Sequence, residues 1–327
     1  MRRLPALLLL NLFLVLSTSL FHPAFCLKFS TDGDGKQTGG NTRDLKGALK
    51  PYSVFRDICY VEKPAGKSQM LDLYIPRRKK LKAKDGTKVM PLVIWIHGGG
   101  WRSGDKQRGP FFGLVNKGFA VASINYRLSF ESKFPAQIHD CKSAVIYLKS
   151  KAGKFGYDPC RVGVWGASAG GHLSALLGAT TASTDLDGET ESEDLNSNVQ
   201  AVCDWFGPTD LLRLVKYDRQ SGEYKVHPIV DDLLGVEGVR MVDAARTASP
   251  LTYVTPGSAM PPTLIVHGDK DKLVPLEQSQ VLYRKIKECR GKVTLDVVSG
   301  GHGIPGFGLA TRSRVEKFFE KVLVGER

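Results

Sequence analysis

Nowhere in these 327 residues do cysteine and histidine fall at the spacings of a metal site. The six cysteines and seven histidines are scattered, so neither a metal nor a cofactor is expected. Acids are in deficit: 33 Asp and Glu face 46 Lys and Arg, a formal charge of +13, or +11 without Arg2 and Arg3. A basic surplus can mark a nucleic-acid partner, but there is no recognition motif and no aromatic-studded basic stripe, so none is expected. Much of the surplus sits in Arg77-Arg-Lys-Lys-Leu-Lys-Ala-Lys84. That loop would attract an anionic polymer, and its simpler reading is a solvated surface. Also missing is an apolar run long enough to cross a bilayer comfortably. The run Leu4–Leu16 follows Met1-Arg2-Arg3 and leads into the more polar Ser17–Cys26. This is the layout of a signal peptide over residues 1–26, cleaved after Cys26. Bulky Phe25 argues against lipid attachment at Cys26. A secreted protein without a stable membrane anchor is expected, with a polar, glycine-rich linker over 27–50.

From residue 51 to 327 no composition break interrupts the pattern, so one domain is expected. Short apolar runs at Val54–Val61, Met70–Ile75, 90–96, Ala120–Asn125, Val199–Phe206 and Lys292–Val298 read as strands. A helix is expected before Gly118, and another over about 135–151 with Ile138, Cys141, Val145 and Leu148 on one face. The last helix carries Val315, Phe318, Phe319, Val322 and Leu323 at helical spacing. Strands alternating with helices imply a mostly parallel sheet covered on both faces, its functional loops at the strands' C-terminal ends. The irregular stretch 208–262 reads as a small cap insertion. Its Leu211, Leu212, Leu214, Leu233 and Leu234 line either a substrate pocket or the cap's own core. Cys141 and Cys160 should lie near opposite ends of the sheet, about 16 Å apart, beyond disulfide reach. With Cys26 removed the count is odd, which leaves at least one free thiol.

Three segments carry chemistry. Arg161-Val-Gly-Val-Trp-Gly166-Ala167-Ser168-Ala169-Gly170 joins a strand to a helix through Gly-x-Ser-x-Gly, a turn that thrusts Ser168 outward as a nucleophile. Pro91-Leu-Val-Ile-Trp-Ile-His97-Gly98-Gly99-Gly100-Trp101 is a buried strand ending in glycines. Their amides can converge on the oxyanion of a tetrahedral intermediate. Gly99, Gly100 and Ala169 are assigned as donors, with Gly99 and Gly100 interchangeable by one position. His97 reads as a residue that orders this loop. Downstream, His267-Gly-Asp269-Lys-Asp271 follows a strand and Gly301-His302-Gly303 ends the last one. The chain order Ser168, Asp, His302 suits a Ser-His-Asp triad. The spacing from His267 to Val274-Pro275 favours Asp271 over Asp269, and Asp296 lies within a strand. The remaining carboxylates are expected to be solvated or to cap the helix starting near Pro275.

With Leu71–Pro76, Asn125–Ser129, Phe134–Asp140, Asp204–Asp210 and Ser249-Pro250 added, the chain resembles the acetyl esterase/feruloyl esterase-like branch of the α/β-hydrolases. That branch carries a His-Gly-Gly-Gly-Trp oxyanion loop, and the likeness spans roughly residues 52–325. It implies an α/β-hydrolase fold with an eight-stranded, mostly parallel sheet flanked by helices. It also implies a serine carboxyl-ester hydrolase acting through an acyl-enzyme on small or polysaccharide-linked acetyl or feruloyl esters. The same triad would serve an aryl-formamidase-like amide hydrolase or a short-chain lipase. A non-catalytic receptor of this fold is disfavoured by the complete set of three residues, and oligomeric state stays open.

Overall fold

The computed structural model describes residues 51–325 apart from 65, 78–80, 182–185, 188–194, 259 and 304–306. The expected signal peptide and linker lie outside the described residues. Eight strands form one sheet: β1 (Tyr52–Cys59), β2 (Met70–Pro76), β3 (Leu92–Ile96), β4 (Ala120–Ile124), β5 (Val162–Ala167), β6 (Ala201–Trp205), β7 (Thr263–Gly268) and β8 (Val293–Val298). Their spatial order is β1-β2-β4-β3-β5-β6-β7-β8. β2 runs antiparallel to both β1 and β4, and every other pairing is parallel.

Burial explains which runs became strands. All residues of β3, β4, β5, β6 and β7 are buried, as parallel strands with helices on both faces require. Side chains alternate between two cores. Leu92, Ile94 and Ile96 join one with α2 (Ala136–Ser150) and α3 (Ala169–Ala179). Val93 and Trp95 join the other with α1 (Phe112–Lys117) and α7 (Leu309–Phe319). On that second face Trp95, Trp165 and Trp205 meet edge to face, with centroids 5.1 and 4.8 Å apart. Helix α3 is buried along its whole length, so its apolar character on all sides is a consequence of position.

The insertion after β6 holds a two-stranded hairpin (Lys216–Asp218 with Glu223–Lys225), α4 (Pro228–Leu234) and α5 (Val239–Thr247). Leu211, Leu233 and Leu234 are buried in the α2/α3 core, which answers the question of their role: they build the insertion. Helix α4 is stapled down by Phe134 N–H donating to the Leu233 carbonyl (2.9 Å) and by Arg102 pairing with Asp232 (3.0 Å). The basic stretch departs from a plain loop, because Leu81–Lys82 pairs with Lys88–Val89. Helix α6 (Leu276–Glu288) and β8 complete the chain with α7. Cys141 is a free, buried thiol, as are Cys59, Cys203 and Cys289 free, so Cys141 does not pair with Cys160. Among the described residues no helix is long and apolar enough to cross a membrane, and no cluster of metal-ligating side chains occurs.

Topology places the site. The chain leaves β3 for β4 on one side and returns for β5 on the other, so neighbouring exit loops diverge between β3 and β5. A crevice opens at such a switch point. The glycine loop after β3 and the Ser168 turn after β5 lie on its two sides.

Candidate active site

Ser168 sits between β5 and α3 at φ 56°, ψ −119°. That backbone region costs a side chain-bearing residue about 1–3 kcal/mol and persists only where neighbours over-determine it. Here Ser168 N–H donates to the Trp205 carbonyl (2.8 Å), and the Ser168 carbonyl accepts from His172 N–H (2.9 Å). The close approach of strand, helix and loop explains Gly170: a β-carbon there would stand 2.1 Å from the Ile96 carbonyl oxygen.

The loop after β3 turns through Gly99 (φ 109°) and Gly100 (φ 61°), left-handed conformations that glycine adopts freely. The amides of Gly99, Gly100 and Ala169 donate to no backbone carbonyl among the described residues. Ala169 also begins α3, where the helix dipole favours negative charge. His97 is buried, its ring stacked 4.4 Å from Tyr126, with Nδ1–H on the Gly98 carbonyl (2.8 Å). Burial lowers its pKa. It orders the loop, as the sequence suggests.

The structure brings Ser168, His302 and Asp271 together. His302 Nε2 lies 2.9 Å from Ser168 Oγ, and His302 Nδ1 lies 2.7 Å from Asp271 Oδ2. Asp271 Oδ1 already accepts Leu273 N–H and Val274 N–H, both at 2.9 Å, so Oδ2 is aimed at the imidazole. With Nδ1–H donating to a carboxylate, Nε2 is left to accept the Ser168 hydroxyl. Asp269 does not take this place. It is exposed, as expected, and its Oδ1 also accepts Gly300 N–H (2.9 Å), which ties the His302 loop to β7. Helix α6 begins at Pro275 with no side-chain cap. Asp296 lies within β8 and pairs with Arg314 (2.9 Å).

Two further histidines matter whose roles sequence spacing did not reveal. His172 is wholly buried; Nε2–H donates to the Ala248 carbonyl (2.7 Å) and Nδ1 accepts Trp101 Nε1–H (3.2 Å). One imidazole thus joins the oxyanion loop, the elbow helix and the insertion, and burial pushes its pKa down to about 4. His267 donates Nε2–H to the Val274 carbonyl (2.8 Å) and accepts the Ser279 hydroxyl at Nδ1 (2.7 Å). That closes the Asp271 loop onto β7 and α6, and burial lowers its pKa too. The far end of the oxyanion loop is held by Lys106, which pairs with Asp72 (2.6 Å) and Asp57 (2.7 Å). The partners of His172 and Lys106 lie far off in sequence, which is why spacing alone was silent about them.

The BD-FAE family model matches residues 71–286. The chain belongs to the BD-FAE family. Its fold is that of the α/β-hydrolase esterases. Esterase LipC of Mycobacterium tuberculosis is 32% identical over 273 residues, covering 80% of this chain and 63% of LipC. A truncated carbohydrate esterase from gut microbiota superposes with a TM-score of 0.72 at 31% identity, over 83% of this chain and 96% of that one. Esterase B from Lactobacillus rhamnosis, seen with a tributyrin phosphonate, shares the fold at 24% identity (TM-score 0.67, covering 84% and 86%). This BD-FAE chain spans 58–63% of the length of the first curated relatives it matches.

Proposed function

We propose that the protein is a serine carboxylic ester hydrolase working through an acyl-enzyme. The observation that carries this reading is the continuous path Ser168 Oγ, His302 Nε2, His302 Nδ1, Asp271 Oδ2, with links of 2.9 and 2.7 Å. Ser168 Oγ bonds to the ester carbonyl carbon while its proton passes to His302 Nε2. The carbonyl electron pair moves onto oxygen, where the amides of Gly99, Gly100 and Ala169 receive it. Those dipoles are already oriented, so they stabilise the transition state without reorganising. The intermediate then collapses, the carbon–alkoxy bond breaks, and His302 returns its proton to the departing alcohol. Water repeats the sequence and frees the acid. Asp271 holds the imidazole in the required tautomer and stabilises the imidazolium that forms.

The relatives named as esterases support an ester substrate, the carbohydrate esterase neighbour supports a carbohydrate-linked ester, and an acetyl or feruloyl acyl group is our reading of the sequence resemblance. The Met1–Cys26 segment supports export to the outside of the cytoplasm; sequencing the N-terminus of protein recovered from the medium tests it. For the chemistry, Ser168→Ala should abolish hydrolysis of p-nitrophenyl acetate and labelling by a fluorophosphonate. Undiminished turnover in that variant would remove the nucleophile from the scheme. A panel of acetylated xylan, feruloylated arabinoside and p-nitrophenyl esters of increasing length then ranks the acyl and alcohol groups.

A further inference from the structure

Directly after β6 the backbone bends through Phe206 at φ 44°, a conformation that bulky residues rarely adopt. Three contacts hold it. Phe206 N–H donates to the Val266 carbonyl (2.9 Å), and Asp204 Oδ1 accepts Gly207 N–H (2.9 Å), closing the turn from the other side. Gly207 itself is pressed against the elbow, where a β-carbon would stand 2.3 Å from His172 N. Asp204 is wholly buried and its Oδ2 has no hydrogen-bond partner; burial raises its pKa to about 7. The product of this turn is the position of one ring. Phe206 is 2% exposed, and its ring meets the His302 imidazole at 4.8 Å and 68°, backed by Phe307 at 4.8 Å.

Hydrogen bonds alone do not hold His302 throughout the proposed reaction. While Ser168 is free, the imidazole has an anchor at each nitrogen. Once Ser168 is acylated, its Oγ carries no proton to donate, and until the attacking water reaches Nε2 only the Asp271 bond remains. We propose that Phe206, set in place by the Asp204–Gly207 turn, is a positioning residue that holds the His302 imidazole in register during deacylation. This rests on the ester-hydrolase reading above. Asp271 and His267 are the titratable groups that act on His302; the ring packed at a steep angle to the imidazole is that of Phe206.

The experiment is burst kinetics with p-nitrophenyl acetate on the full chain, with active sites counted by fluorophosphonate labelling taken to completion. Phe206→Ala should slow deacylation roughly 10- to 100-fold, the scale of an angstrom-sized misplacement, and slow acylation less, so the burst stands out more clearly. Phe206→Leu should recover part of the loss. Asp204→Ala should follow Phe206→Ala in kind. Asp204→Asn, which keeps the acceptor for Gly207 N–H, should stay near wild type. Equal slowing of both steps, or wild-type deacylation per active site, overturns the proposal. A readout independent of turnover is the low-field proton resonance of His302 Nδ1–H in the fluorophosphonate-labelled protein, where Ser168 Oγ has no proton to donate. It should weaken or broaden in Phe206→Ala, and an unchanged resonance counts against the proposal even if no ester is turned over.

Discussion

The two halves of the site are built to different standards of rigidity. The proposed oxyanion donors come from the backbone at the ends of β3 and β5, central strands whose residues are all buried. The proposed base and its acid are side chains on loops after β7 and β8, and β8 is an edge strand with only Val293 buried. Each half is closed by a neutral, buried imidazole with two fixed partners. His172 spans three separate elements, whereas His267 works within one strand–loop–helix unit. The difference follows from the tasks. A dipole array serves best when nothing moves, while a base must accept and release a proton at a partly open edge, where His302 keeps 17% of its side chain exposed. Damage to the central half should therefore reach the whole fold, and damage to the edge half should show mainly in turnover.

The largest effect tests the edge half. His302→Ala or Asp271→Asn should lower kcat for p-nitrophenyl acetate by roughly ten-thousand-fold, the scale of losing a triad member. The urea midpoint should hardly change. A comparable loss of stability in either variant would erase the contrast between the halves.

A subtler contrast lies between His172 and Asp204, both wholly buried beside the elbow. Burial holds the His172 pKa near 4 against an ordinary 6.5. Between those values the unfolded chain takes up a proton that the fold refuses. Its contribution is complete above pH 6.5 and is lost as pH falls toward 4. Burial raises Asp204 from 3.8 to about 7, so the fold keeps a proton that the unfolded chain has released. That contribution is complete below pH 3.8 and is lost as pH rises toward 7. Each group alone would give a slope of about 1.4 kcal/mol per pH unit, of opposite sign, so from pH 4 to 6.5 the two nearly cancel. His172→Phe should make stability fall more steeply with rising pH than in wild type, and Asp204→Asn should make it rise. His172→Phe also strands the Trp101 N–H and Ala248 carbonyl, at about 1–3 kcal/mol each. Urea unfolding at intervals from pH 4 to 6.5 reads both effects, and parallel curves for all three proteins would contradict the opposed slopes.

Much of this architecture was legible because burial writes itself into composition. Strands covered on both faces need continuous apolar runs, so β3 to β7 stood out, and Gly-x-Ser-x-Gly between a strand and a helix marked Ser168. Spacing alone favoured Asp271, since the carboxylate must reach across to the loop after β8. What stayed hidden depended on contacts between distant parts of the chain. The Ala248 partner of His172 is 76 residues away, and nothing in Gly-Gly-His announces it. Phe206 reads as the last apolar residue of a strand until its positive φ and the neighbouring imidazole are seen. The contact of Asp269 stayed hidden for the same reason, because its partner is a backbone amide 31 residues on.

Asp269 offers the smallest and most local test of the comparison. Its carboxylate and the Lys270 N–H to Gly300 carbonyl bond (2.8 Å) together pin Gly300, two residues before His302. Removing the carboxylate frees one amide at a half-open loop, where water can replace the lost acceptor, so the stability cost should stay near 1 kcal/mol. Position is more demanding than stability here, because His302 must remain within hydrogen-bond reach of Ser168. Asp269→Ala should therefore lower kcat several-fold while leaving KM close to wild type, and Asp269→Asn, which keeps an oxygen for Gly300 N–H, should restore most of the rate. If Asp269→Ala instead destabilised the protein as strongly as His172→Phe, the edge half would be as tightly coupled to the core as the centre. The division of labour between a fixed oxyanion cradle and a separately tethered base would then have to be given up.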